Sequence, residues 1–215
     1  VVSHVCTPCS GGTTNEAGDD ASGADTVCAL SVETEVAFDG LACADYDTVL
    51  RELFGASMAA ALDLQEDQVE FSDACSSVRE RRRLNGADAT AVIPMTVVLE
   101  LATDAVDDPA DQAAVLADLQ TDLVEAVSVP VGDGASSPFL TELVAKTEAY
   151  VQEQTDLGND ASALTAAVDA VGVDEDLTTA AIAEGIAEAV EDVTPAEDAT
   201  PAEDFTLGEA EEVRC

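Results

Sequence analysis

The chain has 215 residues, and its 46 acidic side chains against 7 Lys and Arg give a formal net charge of −39. Such a chain repels phosphate backbones and anionic lipid, which argues against nucleic-acid and membrane-surface binding and favours cations and basic partners. Hydrophobic residues reach 47% but aromatics only 3%, with no Trp, so the predicted core is thin and built from small side chains that each bury little area.

No apolar run approaches the ~20 residues that span a bilayer. The opening Val1-Val2-Ser3-His4 carries no secretory leader, as expected of a processed product or part of a longer precursor. A halophile's cytosolic protein would share this acidic composition, in which Lys146 is the one lysine. Six cysteines, an even number, point instead to an oxidising compartment.

Residues 1–30 form a predicted cysteine-rich module. Between Cys6, Cys9 and Cys28 there is hardly an apolar side chain, and Gly, Asn, Asp and Ser supply turns. A Cys9–Cys28 bridge would restrict the unfolded chain by roughly 3 kcal/mol. A zinc site of His4, Cys6, Cys9 and Cys28 lacks the usual second ligand pair, so disulfides are the better reading. Asp19, Asp20 and Asp25 could hold Ca²⁺, but the spacing is not that of an EF-hand and a solvated turn is the default. No other cofactor is expected.

The string Cys6-Thr-Pro-Cys9-Ser-Gly-Gly-Thr-Thr-Asn-Glu-Ala-Gly-Asp-Asp to Cys28 resembles the short cysteine-rich repeats of surface proteins from unicellular algae and other protists. The resemblance implies an extracellular module of a kind that occurs in tandem arrays. One copy is present, which leaves Cys6 free to pair outside its own module.

Residues 31–173 are predicted as one α+β domain. Val32, Thr34, Val36 and Phe38 alternate with Glu33 and Glu35, as in a half-buried strand. Asp45 offers an N-cap to an amphipathic helix carrying Tyr46, Val49, Leu50, Leu53, Phe54, Met58, Ala61 and Leu62. An extended stretch from about 69 to 84 ends at the Asn85-Gly86 turn signal. A strand at roughly 91–102 then puts Ile93, Met95, Val97, Leu99 and Leu101 on one face. Helices follow at 109–127 and about 139–154, and 163–173 reads as a fourth strand or a helix. This order is that of the split βαβ, ferredoxin-like fold, with helices on one face of an antiparallel sheet. A missing fourth strand would leave an edge that must be covered.

The Gly40-Leu-Ala-Cys43-Ala-Asp-Tyr46 segment, the Arg81-Arg82-Arg83-Leu84 strand end and the alternating strand beyond it resemble the SEA-like domains that accompany such repeats. Some SEA domains cleave themselves at a Gly-Ser in this hairpin. Asn85-Gly86-Ala87-Asp88 has no serine there, so no self-cleavage is expected. Adjacent strands would let Cys43 pair with Cys75, and Cys6 with Cys215 then follows by elimination among 15 pairings.

Arg79, Arg81, Arg82 and Arg83 are four of the seven basic residues. They read as a docking point for the acidic surface of a neighbouring subunit, or alternatively as a processing site. Residues 174–215 comprise an Ala-rich helix at 176–192, with Leu177, Ile182, Ile186 and Val190 on one side, and a Pro- and acid-rich tail. That tail cannot build a core but could tether a neighbour through Phe205 and Leu207. There is no Asn-x-Ser/Thr sequon. Thr7, Thr194 and Thr200, each before a proline, are O-glycan candidates.

A catalytic triad needs a base, and His4 is the only histidine. Phosphate loops are absent too, so an enzyme is not expected. The sequence points to a structural subunit of an extracellular filament, flagellar hair or surface coat, a homo-oligomer with no membrane span. The alternative is a monomeric adhesion or ligand-binding ectodomain.

Overall fold

The computed structural model describes residues 13–14, 29–78, 90–100, 109–129 and 136–193. In chain order they form β1 (Thr13–Thr14), β2 (Ala29–Asp39), α1 (Thr48–Ala61), β3 (Val69–Phe71), β4 (Ser76–Val78), β5 (Thr90–Glu100), α2 (Pro109–Val127), α3 (Pro138–Asp156), α4 (Ser162–Asp169), β6 (Gly172–Val173) and α5 (Glu175–Val193). The fold is α+β. All six strands join one antiparallel sheet whose centre is the long β2–β5 pair, in register from Ala29 opposite Glu100 to Phe38 opposite Ala91. β3 and β4 flank β5, while β1 and β6 flank the two ends of β2.

The extended stretch expected from 69 is broken in two, and Pro94 stands opposite the break. Proline has no N–H to donate, and its carbonyl accepts from Ser72 N–H at 2.8 Å. The chain then leaves the ladder. It rejoins at Ser76 opposite Val92, with the register slipped by two residues. Such a bulge shortens the outer strands to three residues each.

Along β2, Leu30, Val32, Thr34, Val36 and Phe38 are buried while Ser31, Glu33 and Glu35 are exposed. The inward face packs on the helices, in which α1 meets α3, α3 meets α2, and α2 meets α5. Asp47 caps α1 in place of the expected Asp45, its carboxylate accepting from Leu50 N–H at 2.9 Å. Asp45 instead lies in the preceding turn, its N–H bonded to the Ala42 carbonyl. Ser137 and Pro138 start α3 through a side-chain cap and a first-turn proline. The ambiguous stretch 163–173 divides into helix α4 and the two-residue strand β6.

The core is less uniform than the composition suggested. Phe38, Phe54, Phe71 and Phe139 are fully buried together. The Phe38 ring lies 4.5 Å from Phe54 and 5.8 Å from Phe139, and Phe54 sits edge-on to Phe71 and Phe139 at 5.7 Å. Four rings thus join β2, α1, β3 and α3, and a shell of Ala, Val and Leu surrounds them. Truncating the central ring by Phe54→Ala should cost about 3–5 kcal/mol. A urea midpoint that falls with an unchanged slope would report that loss.

Candidate interaction surfaces

The turn between β2 and α1 is tied to the bulge between β3 and β4. Cys43 and Cys75 are joined by a disulfide with Cα atoms 5.6 Å apart. Closing this 32-residue separation restricts the unfolded chain by roughly 3.5 kcal/mol in the chain-entropy account. Beside it, the Tyr46 hydroxyl donates to the Ser72 carbonyl at 2.9 Å, and its ring packs 5.9 Å from Phe54. Burial pushes the Tyr46 hydroxyl well above its ordinary value; Arg51 opposes that shift and Asp73 adds to it. The bulge that Pro94 opens is therefore pinned by one covalent and one hydrogen bond.

Among the described residues, the outer edge of β2 has no full-length partner strand. β6 pairs only with Phe38 and Asp39, and α5 runs along the edge beyond it. The Ala37 N–H donates to Thr178 Oγ1 at 3.0 Å, and the Asp174 N–H donates to the Ala37 carbonyl at 2.9 Å. Farther along, Gly185 sits where a Cβ would fall on the Glu33 carbonyl oxygen. Glycine is required there because the helix backbone touches the strand backbone. The buried side of α5 is Thr178, Ile182, Gly185, Ile186 and Val193, whereas Leu177, expected inward, is 41% exposed.

The opposite edge is covered in a related way. In α1, Gly55 faces the Val69 carbonyl, which a Cβ would approach to 3.2 Å. A shallow groove of about 390 Å³ remains between α1 and β3, lined by Arg51, Glu52, Glu66 and Glu70 among others. Lys146 of α3 reaches Glu66 at 3.1 Å.

Among the described residues, no helix covers the sheet's second face. Its middle row on β5 is Val92, Pro94, Thr96 and Val98, all half-buried, and exposed Glu33, Glu35 and Glu70 flank it. Register puts Glu33 and Glu70 on either side of Thr96, and Glu35 beside Pro94. No hydrogen bond or ion pair joins these three carboxylates to any described residue.

Among the described residues, no three His, Cys, Asp or Glu side chains gather as a metal site requires, and no helix is long and apolar enough to cross a membrane. Of the predicted site residues, Cys43 and Cys75 are brought together. Asp19, Asp20, Asp25, Cys6, Cys9, Cys28, Cys215, Arg79, Arg81, Arg82, Arg83, Phe205, Thr7, Thr194 and Thr200 lie outside the described residues. Tyr46, expected on the apolar stripe of α1, lies in the turn before it, and Thr178 and Gly185 were missed by the sequence reading. The signal for the last two was a polar residue and a glycine on the inward stripe of an otherwise apolar helix.

No family model, curated protein or solved structure matches this chain.

Thr178→Val keeps the side-chain shape but leaves the buried Ala37 N–H without an acceptor, at a cost of about 1–3 kcal/mol. Faster amide exchange at Ala37, with little change at Val97 in the centre of the sheet, would locate the effect. For Tyr46 the folded state holds the proton more tightly than the unfolded chain does. Stability from that difference is complete below the ordinary tyrosine value of about 10 and declines as pH rises above it. Tyr46→Phe should therefore flatten this alkaline decline in denaturation curves measured from pH 9 upward.

Proposed function

We propose that the chain is an extracellular structural subunit of a filament, flagellar hair or surface coat, assembling head-to-tail through terminal segments and disulfides. One observation carries this reading: the described domain places the attachment points of segments of opposite charge at its two poles. β2 starts at Ala29, opposite Glu100 at the end of β5. The end of α5 returns to the same pole, where Glu188 and Asp192 line a groove with Ser31 and Glu33. Segments 1–28 and 194–215 therefore attach at that end, and the second carries seven acidic residues against Arg214.

The opposite pole, about 34 Å away along the eleven-residue strands, holds Val78 and Thr90. The connection between them is residues 79–89, which carry four arginines against Glu80 and Asp88. Contacts between unlike poles are heterologous and do not close, so they propagate into fibres. The Cys43–Cys75 disulfide and the even cysteine number support an oxidising, extracellular setting.

The same reading takes the domain as a split βαβ, ferredoxin-like unit of the SEA-like kind, preceded by a cysteine-rich repeat of the protist surface type. The strand neighbours β6–β2–β5–β3 and the two helical crossovers support it. In this view β6 is a vestigial fourth strand. O-glycans at Thr7, Thr194 and Thr200 would coat the product.

Negative-stain imaging and light scattering on the full chain at about 0.15 M salt should find linear oligomers that lengthen with protein concentration. A monodisperse monomer at every salt and concentration would refute the assembly.

A further inference from the structure

We propose that the second face of the sheet is the acceptor for the Arg79–Arg83 segment of a second copy; this deepens the head-to-tail reading and rests on it. The face offers carboxylates and aliphatic groups in the arrangement an arginine needs. Glu33, Glu35 and Glu70 stand exposed with no partner among the described residues, fixed on strands rather than on loops. Between them runs the half-buried row Val92, Pro94, Thr96 and Val98. An arginine lays its three-carbon stem on apolar surface while its planar guanidinium forks onto carboxylate oxygens. Glu33 and Glu70 flank the row at Thr96 from both sides, so guanidinium groups can be received on either flank.

Charge selects the occupant. Segment 15–28 carries Glu16, Asp19, Asp20 and Asp25 with no basic residue, 101–108 carries Asp104, Asp107 and Asp108 with none, and 194–215 carries seven acidic residues against one arginine. Each would be repelled by this face. Residues 79–89, with Arg79, Arg81, Arg82 and Arg83, carry a net positive charge. The head-to-tail reading makes the occupant a second copy. The segment attaches beyond Val78 and Thr90, whereas Glu33 and Glu70, both opposite Thr96, lie nearer the other end of the strands, and Glu35 lies between, opposite Pro94.

Charge exchange in the full chain tests this. One variant, Glu33→Lys with Glu35→Lys and Glu70→Lys, carries a basic face; a second, Arg81→Glu with Arg82→Glu and Arg83→Glu, carries an acidic connection. Each alone is expected to sediment as monomer at about 0.15 M salt, where screening confines attraction to near contacts. An equimolar mixture should regain the assembly, because each face then meets an opposite charge on its neighbour. A control of equal charge change on α2 and α3, Asp118→Lys with Glu148→Lys and Glu153→Lys, should assemble as the parent does.

Assembly that persists in the face variant overturns this contact and leaves the filament reading standing. Loss of assembly in the control to the same degree overturns it too, by reducing the effect to net charge. A mixture that stays monomeric overturns docking between copies. A parent chain that never assembles overturns both this contact and the filament reading.

Discussion

The outward-facing backbone of β2 dictates how the domain is closed. In an antiparallel pair alternate residues turn their N–H and C=O groups away from the partner strand, and at Ala37 those groups need acceptors and donors inside the protein. β6 reaches only Phe38 and Asp39. β1 reaches only Ala29 and Leu30, and a helix closes the stretch between, with a threonine hydroxyl, the amide of the residue before its first turn and a glycine set where each meets the strand. Running α5 along the edge also delivers Ile182, Ile186 and Val193 to the core. It carries the chain back to the pole where β2 began, so edge closure and the common exit of both terminal segments share one cause.

The aromatic cluster is the second determinant, and it compensates for the composition. Ala and Val bury little area apiece, so a domain built from them alone would depend on staples. Gathering Phe38, Phe54, Phe71 and Phe139 at one point instead concentrates the larger buried areas where β2, α1, β3 and α3 meet. Tyr46 extends the cluster to the surface, and its hydroxyl there holds the bulge that the Cys43–Cys75 disulfide also holds. The staple and the core thus act on one pole of the sheet. The pole where β2 begins relies on the packing of α5 and α2.

Much of the architecture was legible because it rests on periodicity. The alternation of Val32 to Phe38 and of Ile93 to Val97 marked the two central strands, and three- and four-residue spacing marked α1, α2 and α3. Where the reading failed, a polar group or a proline was serving a distant partner. Pro94 sits inside a strand pattern, and only the three-dimensional pairing reveals that its missing N–H faces the gap at Ser72. Thr178 took the inward place that Leu177 was expected to fill because the Ala37 amide needed an oxygen there. Asp45 and Asp47 are equally good caps by composition, and the turn bonded to Ala42 decided between them. Of the candidate surface, the cysteine pair was legible, whereas the second face required the register.

That face also shows how a chain of net charge −39 can fold without neutralising each carboxylate. Glu33 and Glu70 are kept two strands apart, about 10 Å, by a β5 row that carries no acid until Glu100 at its end. That distance is about one screening length at 0.1 M salt, so their mutual repulsion is largely damped. A cation placed over the middle row is nearer to both than they are to each other, and it feels the sum of their attractions. Spacing like charges across an uncharged strand thus lowers the cost of folding. It also leaves a potential that a basic segment with an aliphatic stem can use.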